Sequence, residues 1–448
     1  MSFDATPFAA RRARLIASLQ QAGGGVAIIP TAPEVMRNRD ADYPYRHDSY
    51  FYYLTGFTEP EAVLVLVAGK ENRSILFCRD KNLEREIWDG YRHGPQAAQQ
   101  LFALDAAHPI EELDKSMPAL LADARAVYFA LGQDEKRDAQ LQRWLQGVRA
   151  LARSGVSAPG AVVDVNVLLD DMRLFKDAFE IDLMKRAGVI SAEAHCRAMR
   201  ICRPGLREYH LEAELLHEFR RNGSQYPAYG SIVATGANSC VLHYRAGDAE
   251  IKDGDLVLID AGCELDSYAS DITRTFPANG RFSGPQKALY EIVLAAQAAA
   301  IAETAPGKRF MDGHDAAVRV LAQGMLDTGL LDKSKVGSLE DVIEKGDYRQ
   351  FYMHRTGHWL GMDVHDVGDY RDPATADGSK PWRTLQPGMV LTIEPGIYVR
   401  PGEGVPEQLW NIGIRIEDDA HVTPSGCELL TTGVPSKVED IEALMRQG

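Results

Sequence analysis

The chain has 448 residues, of which 45% are hydrophobic and 25% charged, and its formal net charge is −15. This composition is typical of a globular protein, and the length exceeds what one ordinary core accommodates, so two domains are expected. The acidic balance argues against nucleic acid or an anionic membrane surface as a partner.

Cysteine usage and hydropathy indicate the compartment. The six cysteines include no CxxC pair, which favours free thiols in a reducing environment over a disulfide framework. No run approaches the ~18 apolar residues of a membrane span. The N-terminal segment lacks an apolar signal region and reads as an amphipathic helix. The expected location is therefore the cytoplasm.

The first third of the chain alternates strand and helix signals. The predicted strands are residues 26–29, 62–67, 74–78 and 126–130. The predicted helices are residues 8–19, 97–104, 113–124, 138–151 and 162–174. This alternation predicts an α/β domain with a mixed sheet.

The pattern changes near residues 172–178, where we place the boundary between domains 1–174 and 175–448. Helices are predicted over residues 178–200, 208–222 and 286–303, and strands over 389–393 and 412–417. Residues 255–261 and 268–276 are predicted to form a hairpin-like strand pair around 264–267. Residues 369–382, rich in Asp, Pro and Gly, read as a surface loop. The second domain is therefore α+β.

Five potential metal ligands are spread along this second domain. They are Asp260 in LVLIDAG, Asp271 in ASDITRTF, His358 in HRTGHWLGMDVHD, Glu394 in VLTIEPG and Glu417 in IRIEDD. Asp260 and Glu394 each end a run that predicts a buried strand, and a buried carboxylate needs a partner. If the predicted hairpin aligns Asp260 with Asp271, their Cβ atoms would approach to about 5 Å.

Four carboxylates brought together would repel one another, and some would be forced to protonate. Two divalent cations would neutralise them, and an oxygen-rich set suits such a pair better than one tetrahedral zinc. Paired metals usually indicate hydrolysis by a bridging hydroxide. The alternative is that these acids are scattered over the surface.

Further candidates lie beside these ligands. Arg415 shares a strand face with Glu417, where it either orients a metal-bound carboxylate or forms a surface ion pair. His354, His358 and His365 fall within twelve residues, so one could bind metal while the others contact substrate oxygens. His243 is a fourth histidine, and on its own it reads as structural.

The sequence resembles the pita-bread metallopeptidases, and aminopeptidase P among them most closely, over nearly its whole length. Besides the five ligand segments, the resemblance rests on residues 43–46 (YPYR), 53–57 (YLTGF), 59–62 (EPEA), 86–90 (EIWDG) and 172–176 (MRLFK). It implies an α/β N-terminal domain joined to a pita-bread catalytic domain. Creatinase shares both domains but lacks the full ligand set that is present here.

The resemblance also implies residue roles. Asp260, Asp271, His358, Glu394 and Glu417 would bind two metal ions, with Asp271 and Glu417 bridging. His354 and His365 would contact substrate, His243 would lie beside the scissile bond, and Arg415 would orient a ligand. Trp88 would reach a neighbouring subunit's site, which implies a homo-oligomer, a tetramer or a dimer. The substrate-contacting arginine of the family could be Arg371 or Arg383.

The expected function is hydrolysis of the N-terminal Xaa-Pro bond of peptides through a metal-bridging hydroxide. Glu394 would relay the proton, while His243 and His365 would stabilise the oxyanion and hold the proline. Manganese is the expected metal, with cobalt or zinc able to substitute. The alternatives are a prolidase restricted to Xaa-Pro dipeptides, a non-catalytic peptide-binding protein of the same fold, and creatinase-like metal-free hydrolysis.

Overall fold

The computed structural model describes residues 3–447. The chain divides into two compact units between Asp170 and Asp171, four residues before the boundary placed from the sequence. Among the described residues, no helix combines the length and the apolar character that a membrane crossing requires.

The first unit is built on a six-stranded mixed sheet in the order β6-β5-β4-β1-β7-β8. Its strands are β1 (Gly25–Pro30), β4 (Val63–Ala68), β5 (Arg73–Cys78), β6 (Ala106–Pro109), β7 (Ala126–Tyr128) and β8 (Ala161–Val163), with a separate small hairpin formed by β2 (Met36–Asn38) and β3 (Ala41–Asp42). β1 pairs antiparallel with β4 and parallel with β7, so the sheet is mixed as predicted.

Helices accompany this sheet. They are α1 (Thr6–Gln21), α2 (Ser49–Thr55), α3 (Leu83–Asp89), α4 (Gly94–Leu101), α5 (Leu113–Leu121) and α6 (Glu135–Ala150), followed by α7 (Asn166–Leu174), which spans the boundary between the units. The predicted helix over 162–174 begins too early, because residues 161–163 pair with β7 as an additional strand.

The second unit combines helices with short antiparallel sheets. Its helices are α8 (Ala178–Ile201), α9 (Glu208–Arg221), α10 (Gly284–Glu303), α11 (Asp312–Asp327), α12 (Lys333–Val336), α13 (Leu339–Lys345) and α14 (Val438–Met445). α8 begins with a capping box, in which Asp177 accepts from the Glu180 amide at 3.0 Å and Glu180 accepts from the Asp177 amide at 2.9 Å.

The strands of this unit form two three-stranded sheets, β10-β11-β14 and β15-β18-β19, a third small sheet β13-β12-β9, and the pair β16-β17. They are β9 (Tyr226–Pro227), β10 (Ile232–Thr235), β11 (Leu256–Asp260), β12 (Cys263–Leu265), β13 (Tyr268–Ala269), β14 (Thr273–Pro277), β15 (Val390–Ile393), β16 (Gly396–Val399), β17 (Ile412–Arg415), β18 (Asp418–Thr423) and β19 (Gly426–Leu429). One continuous core buries Leu256, Val257 and Ile259 together with Leu289, Ile393 and Ile414, so several candidate ligands sit at the ends of rigid, buried strands.

The predicted strand over 268–276 is wrong in its continuity. The chain turns back at Asp266 and Ser267, which both have positive φ, and forms the small hairpin β12–β13 before β14 begins. β11 then pairs with β14, and Asp260 lies opposite Thr273 rather than Asp271.

Candidate metal centre

Three of the sequence-predicted acids lie where strands end. Asp260 is the last residue of β11, Glu394 follows β15 directly, and Glu417 follows β17 and bridges to Thr273. Asp271 instead lies two residues before β14, so its position comes from the loop after β13 and not from the predicted facing register. The ends of separate antiparallel strands thus bring together acids that are distant in sequence.

His358 lies on a segment that runs beside β15. The Thr392 amide donates to the His358 carbonyl at 2.9 Å, and the Glu394 amide donates to the Thr356 carbonyl at 2.8 Å. Gly357 permits this approach, because a Cβ there would stand 2.0 Å from the Thr392 carbonyl oxygen. The histidine and Glu394 are therefore aligned by backbone pairing.

The predicted ligands form one cluster. Single ligand atoms of Asp271, His358 and Glu417, all buried, lie within 4.8 Å of one another. His358 Nε2 is 3.6 Å from Asp271 Oδ2 and 3.8 Å from Glu394 Oε1. His358 Nδ1 lies 2.9 Å from the Trp359 carbonyl. A proton on Nδ1 leaves the Nε2 lone pair directed at the carboxylates, which suits a metal ligand.

Neighbouring side chains hold this cluster. Arg415 donates to Asp260 at 2.6 Å, to Tyr398 at 2.9 Å and to Thr273 at 3.2 Å. Thr273 in turn donates to Glu417 Oε2 at 2.6 Å. Arg415 is buried, so these contacts are not a surface ion pair, and a guanidinium in this position can hold the acids in place through charge-assisted hydrogen bonds.

Tyr229 is a cluster residue that sequence reasoning missed. Its hydroxyl contacts Asp260 Oδ1 at 2.6 Å and also Asp271, so it joins the two acids that strand pairing does not align. The available signal was a tyrosine just before the buried strand β10, and it is too common to single out. Tyr398 and Thr273 were also missed, because a tyrosine or a threonine on a buried strand is too common to single out.

The four carboxylates of the cluster outnumber the positively charged side chains that contact them. Burial raises the pKa of Asp271 to about 8, and the Asp260 carboxylate adds to that rise. Burial also raises the pKa of Glu394 to about 8, although Arg415 acts in the opposite direction. Burial and the Asp271 carboxylate raise the pKa of Glu417 well above its usual range. Cations bound here would remove this repulsion.

The remaining histidines surround the cluster. His354 Nδ1 lies 2.7 Å from the Arg355 carbonyl and its Nε2 lies 2.8 Å from the Tyr398 hydroxyl. Burial and the Arg415 guanidinium lower the pKa of His354 to about 4, so this ring is neutral at neutral pH. His365 stacks on His358 with ring centroids 4.0 Å apart, and burial lowers its pKa. His243 is exposed to the cavity.

Most of these groups line one cavity of about 760 Å³ in the second unit, whereas Thr273 and Tyr398 lie outside its lining. Its lining includes the five predicted ligands, His243, His354, His365 and Arg415. Trp88 is outside this lining, on α3, and is 82% exposed. Arg371 and Arg383 are outside it as well: Arg371 stacks on Trp382 at 3.4 Å, and Arg383 pairs with Asp171 at 2.8 Å.

Comparison with known proteins identifies the family of this chain. The sequence profile of metallopeptidase family M24 matches residues 182–424, and that of the aminopeptidase P N-terminal domain matches residues 8–128. The Xaa-Pro aminopeptidase of Escherichia coli K12 is 45% identical over 98% of this chain and 97% of its own length. The chain belongs to the aminopeptidase P family of M24 metallopeptidases.

Other members of the aminopeptidase P family agree. The structure of Pseudomonas aeruginosa aminopeptidase PepP is 50% identical and superposes with a TM-score of 0.95, covering 100% of this chain and 99% of that one. Human Xaa-Pro aminopeptidase 3 is 34% identical over 98% of this chain and 85% of its own length. The predicted family, fold class and enzyme class, a metallohydrolase, are confirmed.

Membership of this aminopeptidase P family implies divalent metal ions. The donor set fits them, because buried and half-buried carboxylates and one imidazole converge on a single cavity, and burial raises the pKa of three of the acids. Hard oxygen donors of this kind suit divalent cations.

A buried acid outside the cluster organises the loop that carries His243. Glu208, at the start of α9, is fully buried. Its Oε1 accepts from the Thr235 amide and Asn238 at 2.9 Å each, and its Oε2 accepts from Tyr244 at 2.9 Å and the Gly247 amide at 3.1 Å. One carboxylate thus fastens residues 235–247 at four points. Sequence reasoning missed this residue, because nothing marks it among the other acids of α9.

A buried ion-pair network anchors the loop after His365. Asp366 accepts from Arg173 at 2.7 Å and from Lys176 at 2.8 Å, and all three side chains are about 1% exposed. Arg173 also pairs with Asp363 at 2.8 Å. Both ends of the segment that carries His358 and His365 are therefore fixed, one by β15 and the other by this network.

Proposed function

We propose that this chain removes the N-terminal residue from peptides whose second residue is proline. The observation that carries the proposal is the single 760 Å³ cavity that collects the predicted ligands and the predicted catalytic side chains. The Escherichia coli and Haemophilus influenzae relatives, 45% and 43% identical, are both named Xaa-Pro aminopeptidase. The second unit, which contains the cavity, would carry the catalysis.

Two divalent ions per chain would be held by Asp260, Asp271, His358, Glu394 and Glu417. Manganese is the metal we favour, because oxygen ligands predominate, with cobalt or zinc as substitutes. When bound, such ions supply a Lewis acid for the peptide carbonyl and a water of lowered pKa.

Glu394 would move the proton. Its Oε1 faces His358 Nε2 and its Oε2 lies 3.9 Å from His354 Nδ1. Backbone pairing fixes the residue, so its carboxylate can accept a proton on one side of the scissile bond and return it to the proline nitrogen. A positioned carboxylate of this kind contributes on the order of 10²–10⁴ in rate.

The histidines would hold the reacting peptide. His243 is exposed to the cavity, where it can donate to the developing oxyanion. His365 would contact the proline side, and its ring is kept in place by stacking on His358. His354 would contact substrate. Its ring is oriented by Tyr398, which accepts a hydrogen bond from Arg415 at 2.9 Å, and Arg415 in turn donates to Asp260 at 2.6 Å.

Proline in the second position has no N–H and a fixed φ, so a site that grips the backbone N–H would reject it. A cavity lined by flat imidazole and phenol rings, such as His243, His365 and Tyr370, can instead recognise the shape of the pyrrolidine ring. This supports proline selectivity through contact area.

The test compares Ala-Pro-Ala, Ala-Ala-Ala and Ala-Pro with the metal-loaded protein. We expect alanine release from Ala-Pro-Ala at least about a hundredfold faster than from Ala-Ala-Ala. Cleavage of Ala-Pro alone would establish a prolidase. Binding of the peptides without any cleavage would establish a non-catalytic member of the fold.

The proposal extends to assembly and location. α3 buries none of its residues, and Leu83, Ile87 and Trp88 on it are 72%, 81% and 82% exposed. Such a patch supports a homo-oligomer in which Trp88 reaches a neighbouring subunit's site. The six cysteines are free thiols, which supports the cytoplasm as the location.

A further inference from the structure

Two arginines on the wall of the cavity form no ion pair with any carboxylate of the described residues. Arg245 and Arg355 both line the cavity and both are exposed. The only other arginine of the lining, Arg415, is occupied by Asp260 and Tyr398. Every carboxylate of the lining belongs to the predicted ligand set, so none remains as a counter-ion for these two side chains.

Arg245 lies against the wall next to the cluster. Its Nη1 atom is 2.7 Å from the point where a Cβ of residue 230 would stand, so the guanidinium occupies space that only a glycine leaves open. Residue 230 follows Tyr229, whose hydroxyl contacts Asp260 and Asp271. The Arg245 guanidinium therefore contacts the residue that follows Tyr229 in the chain, and Tyr229 touches two of the predicted ligands.

Arg355 approaches the cavity from a different segment. It directly follows His354, whose ring contacts the Arg355 carbonyl at 2.7 Å. Its guanidinium carbon lies 5.2 Å from the ring centroid of Trp382, a cation–π distance that restrains the side chain without neutralising it. Because the charge is held but not paired, it is available to an anion that enters the cavity.

We propose that Arg245 and Arg355 select peptides that carry a carboxylate downstream of the proline. The carboxylate comes either from the C-terminus of a tripeptide or from an acidic side chain at the third position. A guanidinium pairs with a carboxylate through two parallel hydrogen bonds, which a neutral group cannot replace. This inference rests on the proposed function and names the substrate class of the same site.

The dimensions allow it. Cavities of 300–1,000 Å³ accommodate small ligands, and this one is about 760 Å³. An extended peptide advances about 3.5 Å per residue, so the third residue lies within roughly 7 Å of the first. A tripeptide can therefore keep its scissile bond at the ligand cluster and still present its third residue to the wall.

The experiment uses four peptides in two matched pairs. Ala-Pro-Ala and its C-terminal amide test the terminal carboxylate, and Ala-Pro-Glu-amide and Ala-Pro-Gln-amide test an acidic side chain. Cleavage by the metal-loaded wild type is compared with Arg245→Gln, Arg355→Gln and the double variant. A double variant of two exposed arginines outside the cavity, Arg281→Gln with Arg319→Gln, is the matched charge control.

We expect wild-type kcat/KM to be about fivefold higher for the charged member of at least one pair, as exposed arginine–carboxylate contacts allow. The Arg245/Arg355 double variant should lose that ratio through a higher KM for the charged peptide at unchanged kcat. The control double variant should keep the ratio. Equal kcat/KM within each pair for the wild type, or an equal loss for charged and neutral peptides in the variant, would overturn the inference.

If the wild type cleaves none of the four peptides, the proposed function fails while the inference is still tested. Calorimetric titration of the same peptides then measures binding directly. Tighter binding of the charged members that disappears in the double variant supports carboxylate selection. Equal binding within each pair overturns it.

Discussion

Asp271 and Glu394 show at the scale of single residues why the site needs cations. Each is a carboxylate whose charged form burial opposes, and each has other carboxylates beside it. A protein that kept these side chains only for stability would do better with neutral groups of the same size. Bound cations would explain why both acids lie in one cavity, because their positive charge would offset the repulsion between the carboxylates.

Replacing either residue tests this explanation. Asp271→Ala or Glu394→Ala should leave no measurable turnover of Ala-Pro-Ala, because each substitution removes an oxygen ligand of the metal ions. Glu394→Ala also removes the proposed proton acceptor. Kinetic assays together with elemental analysis of bound metal provide the measurement. The exposed acid Glu344 on α13 offers a control, and Glu344→Ala should behave as wild type. Full activity of either ligand variant with metal still bound would contradict the assignment.

His195 gives a pH prediction. The ring is fully buried and lies 2.9 Å from the Ala261 carbonyl, and burial lowers its pKa to about 4 from an ordinary 6.5. Below pH 6.5 His195 is protonated in the unfolded chain, whereas in the folded chain it stays neutral until the pH approaches 4. The free energy of unfolding therefore falls as pH drops from 6.5 toward 4. Between pH 7 and pH 5 this one group should remove about 2 kcal/mol.

Denaturation of the wild type and His195→Gln at both pH values measures it. The stability advantage of the wild type should shrink by about 2 kcal/mol between pH 7 and pH 5, because glutamine does not titrate. His217 is exposed on α9, so His217→Gln is the matched control for replacing a histidine by glutamine. An advantage that stays constant with pH would mean that the buried ring is protonated in the folded protein.

At the scale of elements, one side chain of α9 sets the position of the loop that carries His243. The two oxygens of Glu208 accept four hydrogen bonds from residues 235–247. In Glu208→Gln an amide NH₂ would face two of those donors, which removes acceptors and leaves buried donors unpaired. We expect a loss of about 2 kcal/mol in stability and at least a tenfold loss in kcat/KM through displacement of His243.

A double-mutant cycle with His243→Ala separates positioning from general destabilisation. If Glu208 acts through His243, then Glu208→Gln should cost little further kcat/KM once His243 is alanine. Glu214 lies one to two turns further along α9 and pairs with Arg197 at 2.5 Å, so Glu214→Gln is the control. Multiplicative losses in the double variant would show that the two residues act independently.

The elements that sequence could predict are those with a strong local signal. α8 has an Asp-Glu capping box, and β11 and β15 are apolar runs ended by an acid, and all three were predicted to within two residues. α11 was missed although Val318, Leu321 and Met325 have helical spacing, because no side chain caps its start. β9 has only two residues and carries no periodicity, whereas β13, also of two residues, lies inside the longer strand predicted over 268–276.

Pairing register was beyond local reasoning for a physical reason. The turn at Asp266 and Ser267 was placed correctly, but β12 and β13 pair directly beside it, and β11 pairs with β14 in a register that puts Thr273, not Asp271, opposite Asp260. Asp260 and Asp271 are therefore joined through the Tyr229 hydroxyl and not by strand pairing. The candidate ligands could be predicted from the side chains and their segments, whereas the residues that contact them depend on strands far apart in sequence.

At the scale of the whole molecule, the exposed surface of α3 predicts assembly. Leu83, Ile87 and Trp88 are exposed together, and covering them with a second copy would bury apolar area. Light scattering should find a homo-oligomer, and Trp88→Ala should lower kcat/KM by several-fold without loss of bound metal. A monomer with full activity would exclude a contribution from a neighbouring subunit.

The most direct test of the metal site is a titration of the chelated protein with Mn²⁺, in which bound metal and cleavage of Ala-Pro-Ala are recorded at each step. We predict no cleavage in the metal-free protein and a rate that rises with bound metal and saturates at two ions per chain. Cleavage at the full rate with no metal bound, or saturation of the binding without any cleavage, would contradict the account.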